Sequence, residues 1–576
     1  MCGIVCYIGK SVPVRQVTKK LLMLEYRGYD SSGIAYKING KIDVKKEVGR
    51  IANLQNLLTE SSGLVISHTR WATHGEVCRA NAHPQVSPSG RFAVVHNGII
   101  ENYAQLKTQL NVDEFISQTD TEVIAHLLEA EQGDALQRLG QVTTKLVGSW
   151  ALAVMDNMAQ QLYLAKNKSP LYVSFKQGGK SCWVASDICC FDGEDYYALP
   201  DDCIAKVSAD GAEFYVNGSL VELPLQKGCA QSMDSSTCGF AHYMQKEINE
   251  IPQVIANITK FYSKHTAMLK SVFDGCSQVV FVGCGTAYHA CKLASIWANK
   301  YLNVSAQAKI ASEYRYSSPD ITNKTAVVLV SQSGETADTL AVGQLAKQKG
   351  ARVIAITNVE HSVIAKLAST NYPLCAGREV AVASTKAYCA MLAVLYLITS
   401  GATAKQKIEN LKDLPLYFAM AASVPSQITD SIKTCKRVFF IGRQDDGVTA
   451  LEGALKLREI AYLDSNGFWA GELKHGTIAL IEPGTWVIAI ITDKSIAAKT
   501  LSAVEEVRCR GANVLVVTNM VLQGDWQTLL LPEANCPQLN SLLAILPLQQ
   551  LAYDVCTALG HDPDHPRNLA KSVTVE

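Results

Sequence analysis

The sequence predicts an α+β front domain followed by two related α/β subdomains built on parallel sheets. Short apolar runs broken by turn residues fill the front third. The back half repeats itself at nearly constant spacing, and a polar stretch without apolar period separates the two. At 576 residues the chain exceeds one hydrophobic core, and roughly three or four domain-sized units are expected.

In the front domain the candidate strands are Cys2–Ile8, Leu64–His68, Phe92–His96, Trp150–Met155, Gln161–Ala165 and Leu171–Phe175. Helices are expected over Val14–Leu24 and Asp120–Glu131. The second opens on Asp120 and Thr121, which are cap-type residues, with Glu122 in its first turn. The stretch Gln226–Thr237 is polar and irregular, which sets the boundary. The expected division is a front domain over 1–222, a linker over 223–240, subdomains over 241–415 and 416–560, and a tail over 561–576.

The repeat is explicit. Gln278–Gly283 matches Arg437–Gly442, Thr325–Val330 matches Thr485–Ile490, and Gly350–Asn358 matches Gly511–Asn519. The offsets are 159, 160 and 161 residues. Helical stretches such as Ala337–Lys349 and Ser495–Arg510 lie between the apolar runs, the βαβ alternation of a parallel sheet. In such sheets ligands bind beyond the C-terminal ends of the strands.

Lys+Arg and Asp+Glu balance at 53 each, which argues against nucleic acid and anionic membrane as partners. The 18 cysteines form no CxxC pair and no Cys/His cluster, so no metal site is expected. The N-terminus lacks the pattern of a signal peptide, and the longest apolar run, Ala387–Ala402, is short for a membrane span. A cytosolic protein with reduced cysteines is expected.

Cys2 is the most informative residue. With Met1 removed, one residue carries both a thiol nucleophile and a free α-amine as base. An amide-cleaving site also needs a carboxylate clamp, an ammonium acceptor and an oxyanion hole. Arg70, Asp120 and the pair Asn97 and Gly98 are of the right types. Taken singly, Asn97-Gly98 reads first as a tight turn, its commoner meaning, and His68-Thr-Arg-Trp71 as a strand end with an ordinary surface arginine.

Four segments join Cys2: Tyr26–Gly33, His68–Gly75, His96–Gly98 and Thr119–Glu122. The set resembles the N-terminal-nucleophile glutamine amidotransferases. The resemblance covers roughly residues 2–220 and implies a four-layer αββα sandwich. It also implies a glutamyl thioester on Cys2, with Arg70, Trp71, Thr73, His74, Gly98 and Asp120 matching the glutamine pocket.

In the back half, Ser331-Gln-Ser-Gly-Glu-Thr336 follows a strand and opens a helix, where hydroxyls and helix N-terminal amides can bind phosphate. Cys284-Gly-Thr286 and Val382-Ala-Ser-Thr-Lys386 are similar polar turns. On the helix Leu451–Glu459, the residues Glu452, Lys456 and Glu459 share faces, a pattern that usually marks a surface salt-bridge ladder. Gly471–Gly476 carries His475, and the tail Arg567–Glu576 carries Lys571 among apolar residues.

These motifs, in this order, resemble the sugar isomerase (SIS) family, in the glutamine-dependent branch that aminates a hexose phosphate. The resemblance implies L-glutamine and fructose 6-phosphate as substrates, and glucosamine 6-phosphate and glutamate as products. It implies ring opening assisted by His475, a Schiff base on Lys571 at C2, and proton transfer between C1 and C2 by Glu459 with support from Lys456. Thr286, Ser331, Gln332, Ser333 and Thr336 would hold the phosphate, and Ser384 the sugar. Trp71 would gate the passage of ammonia. A homodimer with the site completed across subunits is implied, and no metal or organic cofactor. Three departures bear on substrate preference: Ala287 where the family often has serine, Leu463–Trp469, and Arg443-Gln-Asp-Asp-Gly447. The alternatives are the same architecture acting on another phosphosugar, and a non-catalytic sugar-phosphate sensor. Intact Cys2 and Lys571 speak against the sensor, because binding needs neither.

Overall fold

Strand Gly3–Pro13 explains the first unit in miniature. Its Ile4, Cys6 and Ile8 enter one core and its Val5 and Tyr7 another, so both faces of the strand are covered. The same holds for Phe92–Ile100, whose Ala93 and Val95 face the first core while Phe92 and Val94 face a third. Two sheets are therefore stacked face to face with helices on both outer sides, the expected αββα sandwich.

The computed structural model describes residues 2–110, 115–176, 180–228, 237–420 and 424–573. Of the expected linker, 229–236 lie outside the described residues, as do Met1 and the last three residues of the tail. The chain forms two compact units, Met1–Ser235 with Ser572–Glu576, and Ser236–Lys571.

In the first unit the eight-stranded sheet runs Leu225–Gln226, Tyr196–Ala198, Tyr172–Phe175, Ser181–Ala185, Gly3–Pro13, Ser61–Arg70, Ser31–Ile38 and Lys41–Val48. The seven-stranded sheet runs Ser219–Val221, Ala212–Val216, Cys203–Val207, Leu162–Asn167, Gly148–Asp156, Phe92–Ile100 and Gln85–Val86. Both are antiparallel. The hairpin Ser31–Val48 was not legible as strands, because Lys41–Val48 is a polar edge strand. Its turn, Asn39-Gly40, has φ of 50° and 75°, the conformation that joins hairpin strands without splaying them.

Two helix expectations need correction. The helix from Val14 ends at Leu21, and a 3₁₀ turn, Leu22–Arg27, continues it. The second helix spans Glu122–Ala130, and neither Asp120 nor Thr121 caps it through a side chain. Asp120 instead accepts the N–H of Ile100 at 2.8 Å, while Glu122 accepts those of Ile116 and Ser117 at 2.8 and 2.6 Å.

The second unit contains two five-stranded parallel sheets of identical order. One runs Ser305–Ile310, Gln278–Gly283, Thr325–Ser331, Arg352–Thr357, Thr370–Pro373; the other runs Asp464–Trp469, Arg437–Gly442, Trp486–Ile491, Asn513–Thr518, Gln527–Leu530. The repeated segments are the three central strands of each sheet, and the parallel architecture is as expected. The edge strands escaped notice because edges such as Ser305–Ile310 and Gln527–Leu530 are half exposed and carry polar residues. One core spans both subdomains and holds Val279, Phe281, Phe440 and Ile488 together with the wholly buried helix Lys386–Thr399. That helix is the long apolar run of the sequence. Among the described residues no helix is long and apolar enough to cross a membrane.

The repeat extends to backbone angles. Gly285 precedes the helix Thr286–Tyr301 at φ 52°, ψ −126°, and Gln444 precedes Asp445–Ala461 at φ 50°, ψ −124°. Glycine adopts this conformation freely, but a residue with a Cβ is strained there. Gln444→Gly is therefore expected to stabilise the protein by about 1 kcal/mol, the strain relief less the entropy glycine loses on folding. Urea unfolding of the two proteins checks this; an unchanged or lower midpoint contradicts it.

Candidate active site

In the first unit Cys2 and Arg70 come together because strand Gly3–Pro13 pairs with Ser61–Arg70, Gly3 lying opposite Thr69. The Trp71 N–H donates to Cys2 Sγ at 3.3 Å, and the thiol faces the Trp71 carbonyl at 3.6 Å. Burial pushes the Cys2 thiol up, against the opposing influence of the Trp71 N–H and Arg70. A thiol so placed is not a standing thiolate and needs a base to act.

The segment Tyr26–Gly33 supports this turn. A Cβ on Gly28 would stand 2.7 Å from backbone atoms of Arg70 and Trp71, so only glycine allows the approach. Asp30 accepts the Ala72 N–H at 2.8 Å, and its own N–H donates to the Arg70 carbonyl at 3.1 Å. Arg27, Tyr26 and Asp187 form a buried charged cluster behind it. Arg70 donates to the carbonyls of His74 and Glu76, which folds the following loop back onto the strand end. In that loop Thr73 Oγ1 lies 3.3 Å from His74 Nδ1, and the His74 ring meets Tyr103 edge-on at 5.1 Å.

Asn97-Gly98 is not a tight turn; both residues lie within strand Phe92–Ile100. Gly98 has φ +137°, and a Cβ there would sit 2.0 Å from the Ser149 carbonyl oxygen. His68 Nε2 lies 2.9 Å from the His96 carbonyl and 3.2 Å from Asn97 Oδ1. Because a carbonyl can only accept, the proton belongs on Nε2, which assigns Oδ1 of Asn97 as an acceptor and leaves its NH₂ as the donor end. His68, His83 and His96 form a buried stack, with centroids 4.3 and 6.4 Å apart. Burial pushes His68 down to about 3, so its ring is neutral at physiological pH. Asp120 lies on the same side, its Oδ2 4.0 Å from His96 Nδ1. The histidine stack was missed because isolated histidines carry no periodic signal.

In the second unit, strand order reverses between Gln278–Gly283 and Thr325–Ser331, the switch point at which ligands bind in open α/β sheets. The expected phosphate turn leaves the second of these strands. Ser331 Oγ lies 2.9 Å from Thr336 Oγ1 and accepts the Gly334 N–H at 3.0 Å. Ser333 Oγ accepts the Glu335 N–H at 3.2 Å, and the Gln332 carbonyl accepts that of Asn358 at 3.1 Å. Thr336 immediately precedes the helix Ala337–Gln348.

Thr286, at the switch point's other side, joins a buried network instead. Its hydroxyl donates to Glu452 Oε1 at 3.0 Å and accepts from Lys456 Nζ at 3.0 Å. Lys456 Nζ also reaches Glu459 Oε2 at 2.8 Å and Glu452 Oε1 at 3.4 Å, and His289 Nδ1 meets Glu452 Oε2 at 2.6 Å. Glu452 and Lys456 are both 0 % exposed, so the surface-ladder alternative is wrong. Burial opposes the Lys456 charge, but the two carboxylates outweigh it and hold the ammonium protonated. The helix carries this network inward because it lies between two subdomains and is wrapped on nearly all sides, which no single-helix pattern reveals.

Ser384 and Lys571 meet at Glu379, a residue that sequence reasoning missed. The Ser384 hydroxyl donates to Glu379 Oε2 at 3.0 Å, and Lys571 Nζ forms an ion pair with the same oxygen. The available signal was a carboxylate immediately before the apolar stretch Val380–Ala383 that leads to Ser384. His475 stands apart. It is exposed after the 3₁₀ turn Glu472–Lys474 and makes no side-chain hydrogen bond among the described residues.

Two family models match the chain: a glutamine amidotransferase domain over residues 68–193, and a SIS domain over 273–400 and again over 431–523. Fold and site thus define an amidotransferase joined to a doubled sugar isomerase module. Glutamine–fructose-6-phosphate aminotransferase [isomerizing] of Caldanaerobacter subterraneus subsp. tengcongensis is 40% identical over the whole of both chains. The protein of that name from Bacillus subtilis is 39% identical, again over both whole chains. The solved structure of the C-terminal domain of the Francisella tularensis glucosamine-fructose-6-phosphate aminotransferase is 31% identical. It covers 57% of this chain and 99% of its own, with a TM-score of 0.54. The chain belongs to the glutamine–fructose-6-phosphate aminotransferase (isomerizing) family.

Proposed function

We propose that this protein transfers the amide nitrogen of glutamine to fructose 6-phosphate, giving glucosamine 6-phosphate and glutamate. The observation that carries this reading is the pairing, on one chain of this family, of a thiol seated on the Trp71 backbone with the buried Lys456 and its half-buried partner Glu459.

Arg70 holds the glutamine carboxylate and Asp120 its ammonium group. The Cys2 thiol, deprotonated by its own α-amine, attacks the side-chain amide. The Asn97 NH₂ and the Gly98 N–H receive the oxyanion. Trp71, Thr73 and His74 line the pocket and close it against water, so that ammonia leaves uncharged. At the sugar end the hydroxyls of Ser331, Ser333 and Thr336, with Gln332, hold the phosphate. Thr286, whose hydroxyl already serves Glu452 and Lys456, contributes through its place at a helix N-terminus. Ser384 holds the sugar, Lys571 forms the Schiff base at C2, and Glu459, held 2.8 Å from Lys456, moves the proton between C1 and C2. The exposed His475 assists ring opening in the site of a second copy, which makes a homodimer the active form.

Mass spectrometry with amide-¹⁵N glutamine and fructose 6-phosphate tests this. A ¹⁵N-labelled hexosamine phosphate that co-elutes with glucosamine 6-phosphate is expected. Glutamate without aminosugar overturns the choice of sugar, and the absence of both overturns the reaction.

A further inference from the structure

Lys571 must end as an imine nitrogen, yet it begins in an ion pair with a carboxylate inside the protein. Glu379 is buried, and both of its oxygens are occupied by donors. Oε1 accepts the N–H groups of Thr385 and Ala387 at 3.0 and 2.9 Å, and Oε2 accepts Ser384 Oγ and Lys571 Nζ. Thr385 and Ala387 stand at the N-terminus of the helix Lys386–Thr399, whose dipole also favours an anion. Four donors and no acceptor make Glu379 a permanent carboxylate, and they aim it at Nζ. Burial alone would push the Glu379 carboxyl up; Lys571 and the backbone donors hold it below the ordinary range instead.

The other charged groups around this pair are accounted for. Lys386 is paired with Glu250 at 2.6 Å, and Lys246 lies 3.6 Å from the same carboxylate. Glu247, from the helix Tyr243–Lys264, accepts the N–H groups of Val380 and Ala381 at 2.5 and 3.4 Å. Burial, and then Glu379 itself, push the Glu247 carboxyl up toward its neutral form, and its Oε1 is taken by backbone N–H groups. Lys571 is the cation that Glu379 faces.

We infer that Glu379 is the counter-ion of the Schiff base on Lys571, keeping the imine nitrogen protonated while Glu459 removes the C1 proton. This rests on the reading of Lys571 as the Schiff-base lysine. The step balances without an outside reagent. The ammonium passes one proton to the C2 carbonyl oxygen and the amine so freed adds to C2; a second nitrogen proton follows as the remaining C–O bond breaks, the C=N bond forms, and the oxygen leaves as water. The nitrogen carries one positive charge before and after. The buried carboxylate therefore faces a cation throughout, and no charge is created or stranded in the interior. A protonated imine withdraws electrons from C1–C2 and acidifies the C1 hydrogen; a neutral imine does so poorly. Without its counter-ion the buried nitrogen would lose its proton more readily.

The test uses the full-length protein and fructose 6-phosphate, trapped at a series of pH values and read by peptide mass at Lys571. Cyanoborohydride reduces only the protonated imine, whereas borohydride reduces both forms. In the unaltered protein the ratio of the two yields is expected to hold into the alkaline range. In Glu379→Gln its midpoint is expected to move toward acid by about one to three pH units, the effect of an adjacent opposite charge. Glu379→Asp, which keeps the charge one methylene further away, is expected to show a smaller move in the same direction, and it serves if the Gln variant does not fold. A midpoint unmoved in the variants, with trapping intact at Lys571, overturns the counter-ion role alone. No trapping at Lys571 by either reagent in the unaltered protein overturns the lysine reading and this inference with it.

Discussion

Cys2→Ala abolishes glutamate release from glutamine, lowering the rate by about 10⁴-fold or more, the order lost when a covalent nucleophile is deleted. The expectation rests on the seat of the sulfur, which the Trp71 N–H approaches at 3.3 Å at the end of the strand that carries Arg70. Because the sugar machinery belongs to the other compact unit, slow isomerisation of the phosphosugar is expected to persist in this variant. Glutaminase and isomerase assays on the same preparation decide the matter. Undiminished glutamate release would remove Cys2 from its role, and loss of both activities would point to misfolding rather than chemistry.

Lys456→Met is expected to cost the second unit about 3–5 kcal/mol, the penalty for removing one partner from a buried ionic group. It is also expected to lower aminosugar formation by about 10²–10⁴-fold, the range for a lost acid–base contribution. Glu452 has no exposed surface, and the Lys456 ammonium at 3.4 Å and the His289 ring at 2.6 Å are the groups its carboxylate meets. The pH dependence gives the signature. Burial raises the Glu452 carboxyl, but Lys456, His289 and Thr286 bring it below the ordinary value. A depressed carboxyl stabilises the fold above its unfolded value of about 4.3, and that stability is lost as pH falls through the folded value. In the variant the carboxylates face no lysine, so the deficit is greatest at neutral pH and shrinks as acid protonates them. Denaturant midpoints at neutral and acid pH measure this. The double variant Glu452→Gln/Lys456→Met recovers most of the stability and none of the activity, since a neutral pair needs no partner. A deficit independent of pH would mean that packing, not charge, is what Lys456 provides.

Much of the candidate site was legible because chemistry-bearing residues stand in short segments. Cys2, the segment around Arg70 and the turn Ser331–Thr336 each carry their residues within a few positions. The fold class was legible for a related reason. Central parallel strands are buried on both faces and read as apolar runs, so the repeat at 159 to 161 residues survives in the sequence. Edge strands such as Ser305–Ile310 and Lys41–Val48 are half wet and leave no such trace. The dipeptide Asn-Gly shows the limit of local reading. At Asn39-Gly40 it turns a hairpin, whereas at Asn97-Gly98 it continues a strand. What separates them is the neighbour: Ser149 leaves no room for a Cβ at Gly98, and His68 takes the Asn97 carbonyl.

The sequence by itself determined the doubled α/β half and marked Cys2 and the residue types of both candidate sites, because these depend on composition and spacing along the chain. Only the tertiary structure decided that Glu452 and Lys456 are interior rather than a surface ladder, that Thr286 serves Glu452 and Lys456, and that Lys571 meets Glu379. The reason is physical. The state of a charged group is set by its burial and its partners, and those partners stand 166 residues apart for Thr286 and Glu452 and 192 apart for Lys571 and Glu379.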